Sequence, residues 1–316
     1  MQVIRGLHNL RSEHRGCVAT IGNFDGVHLG HQAVFKHVRA QADSFGLPST
    51  VITFEPQPME YFAPDAAPAR LTRIREKLQA VKDAGIDRVV LLEFGPKLAS
   101  MSAEDFIQEL LVTGLDVRYL FVGDDFRFGR GREGGINLLR EVGQAHGFEV
   151  ANMNTFMDGE ARISSTRIRE ALAKGDLELA ERNLGRPYRI CGRVAHGDAR
   201  GRTIGFPTAN IDLHRKVSPV HGVFAVTLHG LAEGVLPGVA NIGNRPTVEG
   251  DSRYLLEVHL FDFSRLIYGE HVQVEFCERL RDELRFESFE ALRQQIERDA
   301  AAARAYFNSV TLSKTD

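Results

Sequence analysis

Gly22-Asn23-Phe24-Asp25-Gly26-Val27-His28-Leu29-Gly30-His31 joins the apolar run Cys17-Val18-Ala19-Thr20-Ile21 to a helical pattern that begins near His31. A strand that passes through glycines into a helix start is built to hold phosphate. Glycine lets the backbone come close to a ligand, the helix N-terminus carries partial positive charge and N–H donors, and two histidines three positions apart add side-chain donors. Two other readings fit the spacing. His28 and His31 can ligate a metal, although a closed site needs further Cys, His or carboxylate ligands and only Asp25 is near in sequence. A glycine-rich turn whose histidines are satisfied locally also matches.

Outward from this stretch, Val34, Val38 and Phe45 keep helical spacing until Gly46-Leu47-Pro48 stops it. Val51–Phe54 reads as a buried strand, Arg73–Gly85 as a helix with Ile74, Leu78 and Val81 on one face, and Val89–Leu92 as the next strand. Ser102-x-x-Asp105 has the form of a capping box ahead of Phe106, Leu110 and Leu111, and Tyr119–Val122 follows as a strand. Alternating strands and helices predict an α/β domain with a parallel sheet covered on both faces. Ligands of such sheets bind beyond the carboxyl ends of the strands, where His28 and His31 fall. Residues 55–70 carry four prolines and two aromatics without helical or strand period and read as a long ordered loop. Asp124-Asp125, in Gly123–Gly129, is either an ordinary turn or a pair that orients a ligand. In Ile163-Ser164-Ser165-Thr166-Arg167-Ile168-Arg169 hydroxyl residues precede a helix whose first turn carries arginines instead of the usual acids. An N-cap explains the serines but not the arginines, so a bound polyanion is expected.

A chain of 316 residues with 43% apolar residues exceeds one ordinary domain and can fill two cores. A formal net charge of −3 gives no reason to expect nucleic acid or membrane surfaces as partners. Cys17, Cys191 and Cys277 are odd in number and far apart, so no disulfide framework is indicated and a reducing cytoplasm fits. Neither a signal-peptide core nor an apolar run of membrane length occurs, and a soluble, unprocessed protein is expected.

The helical pattern ends at Asn183-Leu184-Gly185 and Arg186-Pro187 marks the boundary, giving domains of residues 1–185 and 186–316. The period then becomes two: Phe224, Val226 and Leu228, then Leu256, Val258 and Leu260, then Val272, Val274 and Phe276. An antiparallel barrel is the natural reading. One helix follows, with Ser288 as N-cap and Phe289, Leu292, Ile296, Ala303 and Phe307 along one face. His196–Gly205 is glycine-rich and basic, lacks the spacing of a Walker phosphate loop, and by itself is equally a flexible hairpin. Glu257 alternates with apolar neighbours, which by itself places it toward solvent.

His28-Leu29-Gly30-His31 and Ile163–Arg169 resemble the two nucleotide motifs of the nucleotidylyltransferase superfamily. Gly22–His31, Pro207-Thr208-Ala209-Asn210, Asn241–Val248 and Leu256-Glu257-Val258-His259-Leu260 resemble the bacterial bifunctional riboflavin kinases/FMN adenylyltransferases (FAD synthetases), over essentially the whole chain. The resemblance implies a Rossmann-like nucleotidylyltransferase domain followed by a riboflavin-kinase β-barrel with a terminal helix. It implies that riboflavin becomes FMN and FMN becomes FAD, with ATP as co-substrate in both steps and Mg2+ as cofactor. ATP would meet Gly22, Asn23, Asp25, His28, His31, Ser164, Ser165, Thr166 and Arg169 in the first domain, with His28 and His31 catalytic. The flavin there would meet Phe54, Phe62, Asp125 and Phe128. In the barrel Glu257 would be the catalytic base, Thr208 and Asn210 would hold magnesium, and Gly197, Arg202 and Arg281 would bind ATP or flavin, with Arg285 nearby. Related sequences often carry Asp where this chain has Gly135, which leaves the role of that carboxylate open. A transferase for another phosphate ester and a non-catalytic flavin sensor are the competing functions.

Overall fold

The computed structural model describes residues 1–153, 156–159, 161–196, 205–213, 217–246 and 252–312. Contacts divide the chain into two compact units, Met1–Pro68 with Thr72–Ser165, and Ala69–Leu71 with Thr166–Asp316. Among the described residues of the first, β1 (Gln2–Arg5), β2 (Cys17–Ile21), β3 (Ser49–Glu55), β4 (Arg88–Glu93), β5 (Val117–Gly123) and β6 (Glu149–Met153) form one parallel sheet in the order β1-β4-β3-β2-β5-β6. Val18, Val51, Ile52, Val89 and Val90 are fully buried, as continuous apolar runs between two layers of helices require. Helix α1 (Leu29–Phe45) leads from β2 to β3 on one side, while β5 pairs with β2 on the other. The loop leaving β2 therefore opens at the topological switch point. Ser102 caps the next helical stretch as expected, its hydroxyl accepting from the Asp105 N–H at 3.0 Å.

Residues 55–70 are not entirely loop. A short helix, α2 (Pro58–Phe62), starts on Pro58, and the Glu60 carboxylate accepts from the Gln57 N–H at 2.8 Å while Gln57 caps in return. Glutamine is not among the favoured N-cap residues, so the sequence hides the helix. Further on, α3 (Ile74–Asp83) follows Arg73, α4 (Pro96–Ser100) and α5 (Ala103–Phe106) precede β5, α6 (Ile136–His146) follows Gly135, and β7 (Met157–Asp158) pairs antiparallel with β8 (Ala161–Arg162).

The second unit is a closed antiparallel barrel of β9 (Arg189–Ala195), β10 (Ala209–Asp212), β11 (Gly222–Leu231), β12 (Gly234–Pro246), β13 (Ser252–Leu260) and β14 (His271–Arg281), ordered β10-β13-β12-β11-β14-β9. Ile190, Ile211, Phe224, Val226, Leu256, Val258 and Val274 are fully buried within it. Helices α7 (Ser165–Lys174) and α8 (Leu177–Leu184) add Ile168, Ala171, Leu172, Ala180 and Leu184 to the same core. The units therefore part after Ser165, ahead of the change of period at Gly185-Arg186. Periodicity shows where a helix stops but not which core its apolar face joins. The terminal helix (Phe289–Leu312), capped by the Ser288 hydroxyl, which accepts from the Ala291 N–H at 3.1 Å, packs Ala300 and Ala303 against Val223, Ala225 and Val239. Those three residues lie on the outer face of the barrel.

Candidate functional site

The loop after β2 is strained and pinned. Phe24 and Val27 have positive φ, 47° and 43°, as does Gly26, and such backbone persists only where surroundings over-determine it. Asp25 is buried, and its carboxylate accepts from the Thr72 N–H at 2.9 Å and hydroxyl at 3.1 Å. The Gly26 N–H donates to the Thr72 hydroxyl at 2.9 Å, and the Gln32 amide donates to the Val27 carbonyl at 2.9 Å. Asp25, expected at the nucleotide, is thus turned inward as an anchor of the loop. Asn23 is exposed, and Gly22 packs its backbone over the Phe24 ring, leaving little room for a side chain.

His28 is the N-cap of α1, so the helix begins at Leu29, slightly earlier than its apolar spacing shows. Its Nδ1 accepts from the His31 N–H at 3.3 Å. An accepting Nδ1 leaves the proton on Nε2, which is a donor. The His31 ring stacks on His28 with centroids 3.5 Å apart and meets Phe24 edge-on. Gly30 permits this, because a Cβ there would press on the His28 ring at 3.2 Å. Burial first, then the charges of His28 and Lys77, push the His31 pKa well below 6.5. His31 is neutral at pH 7, with its buried Nδ1 unpartnered. Below pH 6.5 the unfolded chain takes up a proton that the folded one refuses, so this group costs stability as pH falls and nothing above. Between pH 7.5 and about 5.5 the melting midpoint should drop more for the wild type than for His31→Gln, and equal drops would remove His31 as the cause. Among the described residues no group of three or more His, Cys, Asp or Glu side chains is placed to hold a metal, so His28 and His31 lack the further ligands a closed site needs.

Ser165, at the start of α7, donates to the Asp25 carbonyl at 2.9 Å, which brings the second motif to the first, with half-buried Ser164 just before it. Thr166 and Arg169 belong to the other compact unit, where the Arg169 Nε donates to the Ala69 carbonyl at 2.6 Å. The expected flavin residues separate by burial. Phe62 is 62% exposed, Phe54 is buried, and both pack on Phe94 at 5.5 and 5.8 Å. Phe128 is a core residue that stacks on Phe126 and packs at a tilt against Phe106. Asp125 is exposed, 3.8 Å from the Arg162 guanidinium. Gly135 is the N-cap of α6 and makes no side-chain capping bond. An Asp in that position would be an ordinary helix cap.

In the barrel, strand register pairs Glu257 with Asn210 on one side and Asn241 on the other. Residues opposite one another share a face. That face is the outer one, since Leu256 and Val258 fill the interior. Alternation alone would leave Glu257 in water, but here it lines a cavity of about 430 Å3. Thr208, Asn241 and Arg281 line it as well, as do Val223 and Val239 of the barrel and Phe289, Leu292 and Ile296 of the terminal helix. An apolar cavity with a few convergent polar groups suits a flat aromatic ligand bearing one reacting end. Asn210 is buried, with its amide nitrogen 3.5 Å from the Thr208 carbonyl. The Thr208 hydroxyl and the Asn210 side-chain oxygen are hard donors of the kind magnesium takes. The His259 ring donates from Nδ1 to the Pro207 carbonyl at 2.9 Å and so ties the Thr208 segment to β13. A Cβ at Gly243 would displace the Glu283 carboxylate, which lines the same cavity. Arg285 is exposed and outside the cavity lining, and the expected Gly197 and Arg202 lie outside the described residues.

Among the residues that escaped the sequence reading are Thr72, Lys77, Asn241 as a site residue, and Asp299. Lys77 and Asp299 had a signal, since each is a charge on the apolar face of its helix, and both are buried.

Comparison with known proteins covers both units. A family model described as FAD synthetase matches residues 10–167, and one described as riboflavin kinase matches residues 184–307. The bifunctional riboflavin kinase/FMN adenylyltransferase of Escherichia coli (strain K12) is 53% identical over 308 residues, 97% of this chain and 98% of that protein. That of Haemophilus influenzae is 52% identical over 309 residues, 98% and 100% of the two chains. A crystal structure described as a macrolide-efflux protein from Streptococcus pneumoniae superposes with a TM-score of 0.78 at 30% identity, covering 96% of this chain and 99% of that one. Among the described residues of this chain no helix is long and apolar enough to cross a membrane.

Proposed function

The chain belongs to the family of bifunctional riboflavin kinases/FMN adenylyltransferases, and from that premise we propose how its residues divide the two reactions. The reactions themselves are phosphorylation of riboflavin by ATP to FMN, and adenylylation of FMN by ATP to FAD with release of pyrophosphate. With both family models matched, the transferase for another phosphate ester and the non-catalytic sensor are set aside. The observation that carries the assignment is Glu257, between Asn210 and Asn241 in strand register, in the wall of a largely apolar cavity.

In the first step the Glu257 carboxylate accepts the proton of the riboflavin 5′-hydroxyl as that oxygen attacks the γ-phosphorus of ATP, and the bond to ADP breaks. The isoalloxazine ring lies in the cavity against Phe286, Phe289, Leu292 and Ile296. Thr208 and Asn210 are the residues that would hold Mg2+, which when bound neutralises phosphate charge. Gly197, Arg202 and Arg281 keep their assignment to ATP or flavin from the motifs. In the second step an FMN phosphate oxygen attacks the α-phosphorus of ATP in line and pyrophosphate leaves. The Nε2–H of His28, neutral His31 and the Ser164-Ser165 backbone stabilise charge developing on the phosphates, with no covalent enzyme intermediate. Asp25 acts by holding the loop, Phe54 and Phe62 by walling the flavin, while Thr166 and Arg169 are assigned by motif alone. We infer a cytoplasmic location, in which the three free cysteines stay reduced.

The division of labour is tested by truncation. A fragment of residues 166–316 should phosphorylate riboflavin and make no FAD. A fragment of residues 186–316 should be poorly folded, because it uncovers the surface that Ile168, Leu172 and Leu184 bury, each worth about 1.5–3 kcal/mol. A folded 166–316 fragment that makes no FMN would overturn the division of labour, whereas a well-folded, active 186–316 fragment would overturn only the need for the two helices before the barrel.

A further inference from the structure

Asp299 sits on the apolar stripe of the terminal helix, between Ile296 and Ala303, and is 6% exposed. Its carboxylate takes the Arg281 guanidinium edge-on, accepting from Nε at 2.9 Å and from Nη2 at 2.6 Å, and Gln295 donates to Oδ1 at 2.9 Å. The Arg281 Nη1 donates to the Asp282 carbonyl at 2.7 Å, so one guanidinium ties the helix to the first residue of the segment 282–288. Leu284 and Phe286 of that segment line the same cavity as Glu257, Arg281 and Asp299. A buried ion pair is seldom more stabilising than well-packed apolar side chains of the same volume. A carboxylate where leucine would pack is therefore explained by what it holds in place. The bidentate fork fixes direction as well as distance.

We propose that Asp299 is a positioning residue for riboflavin phosphorylation: it locks Arg281, and through Arg281 the segment carrying Leu284 and Phe286, so that the flavin cavity is formed before the flavin arrives. This rests on the reading that riboflavin occupies that cavity.

The test uses the full chain, with riboflavin affinity read by quenching of flavin fluorescence and FAD formation from supplied FMN as the reference activity. Asp299→Asn should weaken riboflavin binding by about ten- to a hundredfold, the scale of a misplaced binding group, with kcat at saturation changed only a few-fold. Asp299→Glu keeps the charge and the fold but shifts the carboxylate by one methylene, and it should weaken binding in the same direction. In an Arg281→Met background Asp299→Asn should add less than about twofold, because a residue acting through Arg281 has nothing left to position. Wild-type affinity in both single variants, or the same loss in the Arg281→Met background as in the wild type, would overturn the proposal. Ile296→Arg, which fills the cavity, separates the two readings. If it leaves riboflavin binding intact the cavity assignment fails, whereas if it abolishes binding while Asp299→Glu and Asp299→Asn are silent, only the role of Asp299 fails.

Discussion

Replacement of His31 by alanine should lower FAD formation from supplied FMN by about a hundredfold to a thousandfold, the usual cost of one preorganised donor at a developing oxyanion. Riboflavin phosphorylation in the same preparation should stay within about twofold, because His31 belongs to the other compact unit and is no part of the barrel's core or cavity. His28→Ala should show the same split with an added stability loss, since His28 also caps α1. Loss of an N-cap costs about 0.5–2 kcal/mol. His28→Asn separates the roles, because asparagine caps well but offers no imidazole donor. It should restore the melting midpoint without restoring adenylylation. If His28→Asn recovers both, the histidine is a cap and no more. If alanine at either position lowers both activities equally, the stacked pair holds the fold instead of the phosphates.

Much of this was legible because the motifs are local. The strand, glycines and histidines of residues 17–31 are consecutive, and the parallel alternation after them leaves little topological choice. What the sequence could not show depends on partners remote along the chain. Asp25 reads as a ligand because it lies inside the motif, yet its partner is Thr72, in a segment with no motif of its own. Phe128 reads as a flavin contact and is a core residue, since burial is decided by Phe106 and Phe126 around it. Helices α7 and α8 precede the boundary read at Gly185-Arg186, yet they pack into the barrel's core, because their apolar faces do not announce which core they enter. Lys77 and Asp299 were visible in principle as charges on apolar helix faces. Such a residue is easily read as an imperfection in the stripe, although a buried charge is costly enough to require a partner.

Glu257 shows how alternation can be right about direction and wrong about environment. Its side chain is on the outer face of β13, but the terminal helix and the segment before it cover that face, so the carboxylate meets a cavity instead of bulk water. Glu257→Gln keeps the shape and an acceptor oxygen at the position opposite Asn210 and Asn241, while removing the ability to take a proton. General-base catalysis contributes about a hundredfold to ten-thousandfold, so kcat for FMN formation should fall by that order with riboflavin affinity little changed. Conversion of supplied FMN to FAD should continue at the wild-type rate. The acid limb of the wild-type pH–rate profile for phosphorylation, where the base becomes protonated, should disappear in the variant. His259 could still take a proton at Nε2, since its Nδ1 donates to the Pro207 carbonyl, but that bond gives the ring a holding role over the Thr208 segment. His259→Asn should therefore loosen ATP binding without abolishing that acid limb. A folded Gln variant with undiminished phosphorylation would return Glu257 to the status of an ordinary strand residue, and the base would have to be sought among neighbours such as His259, which lines the same cavity.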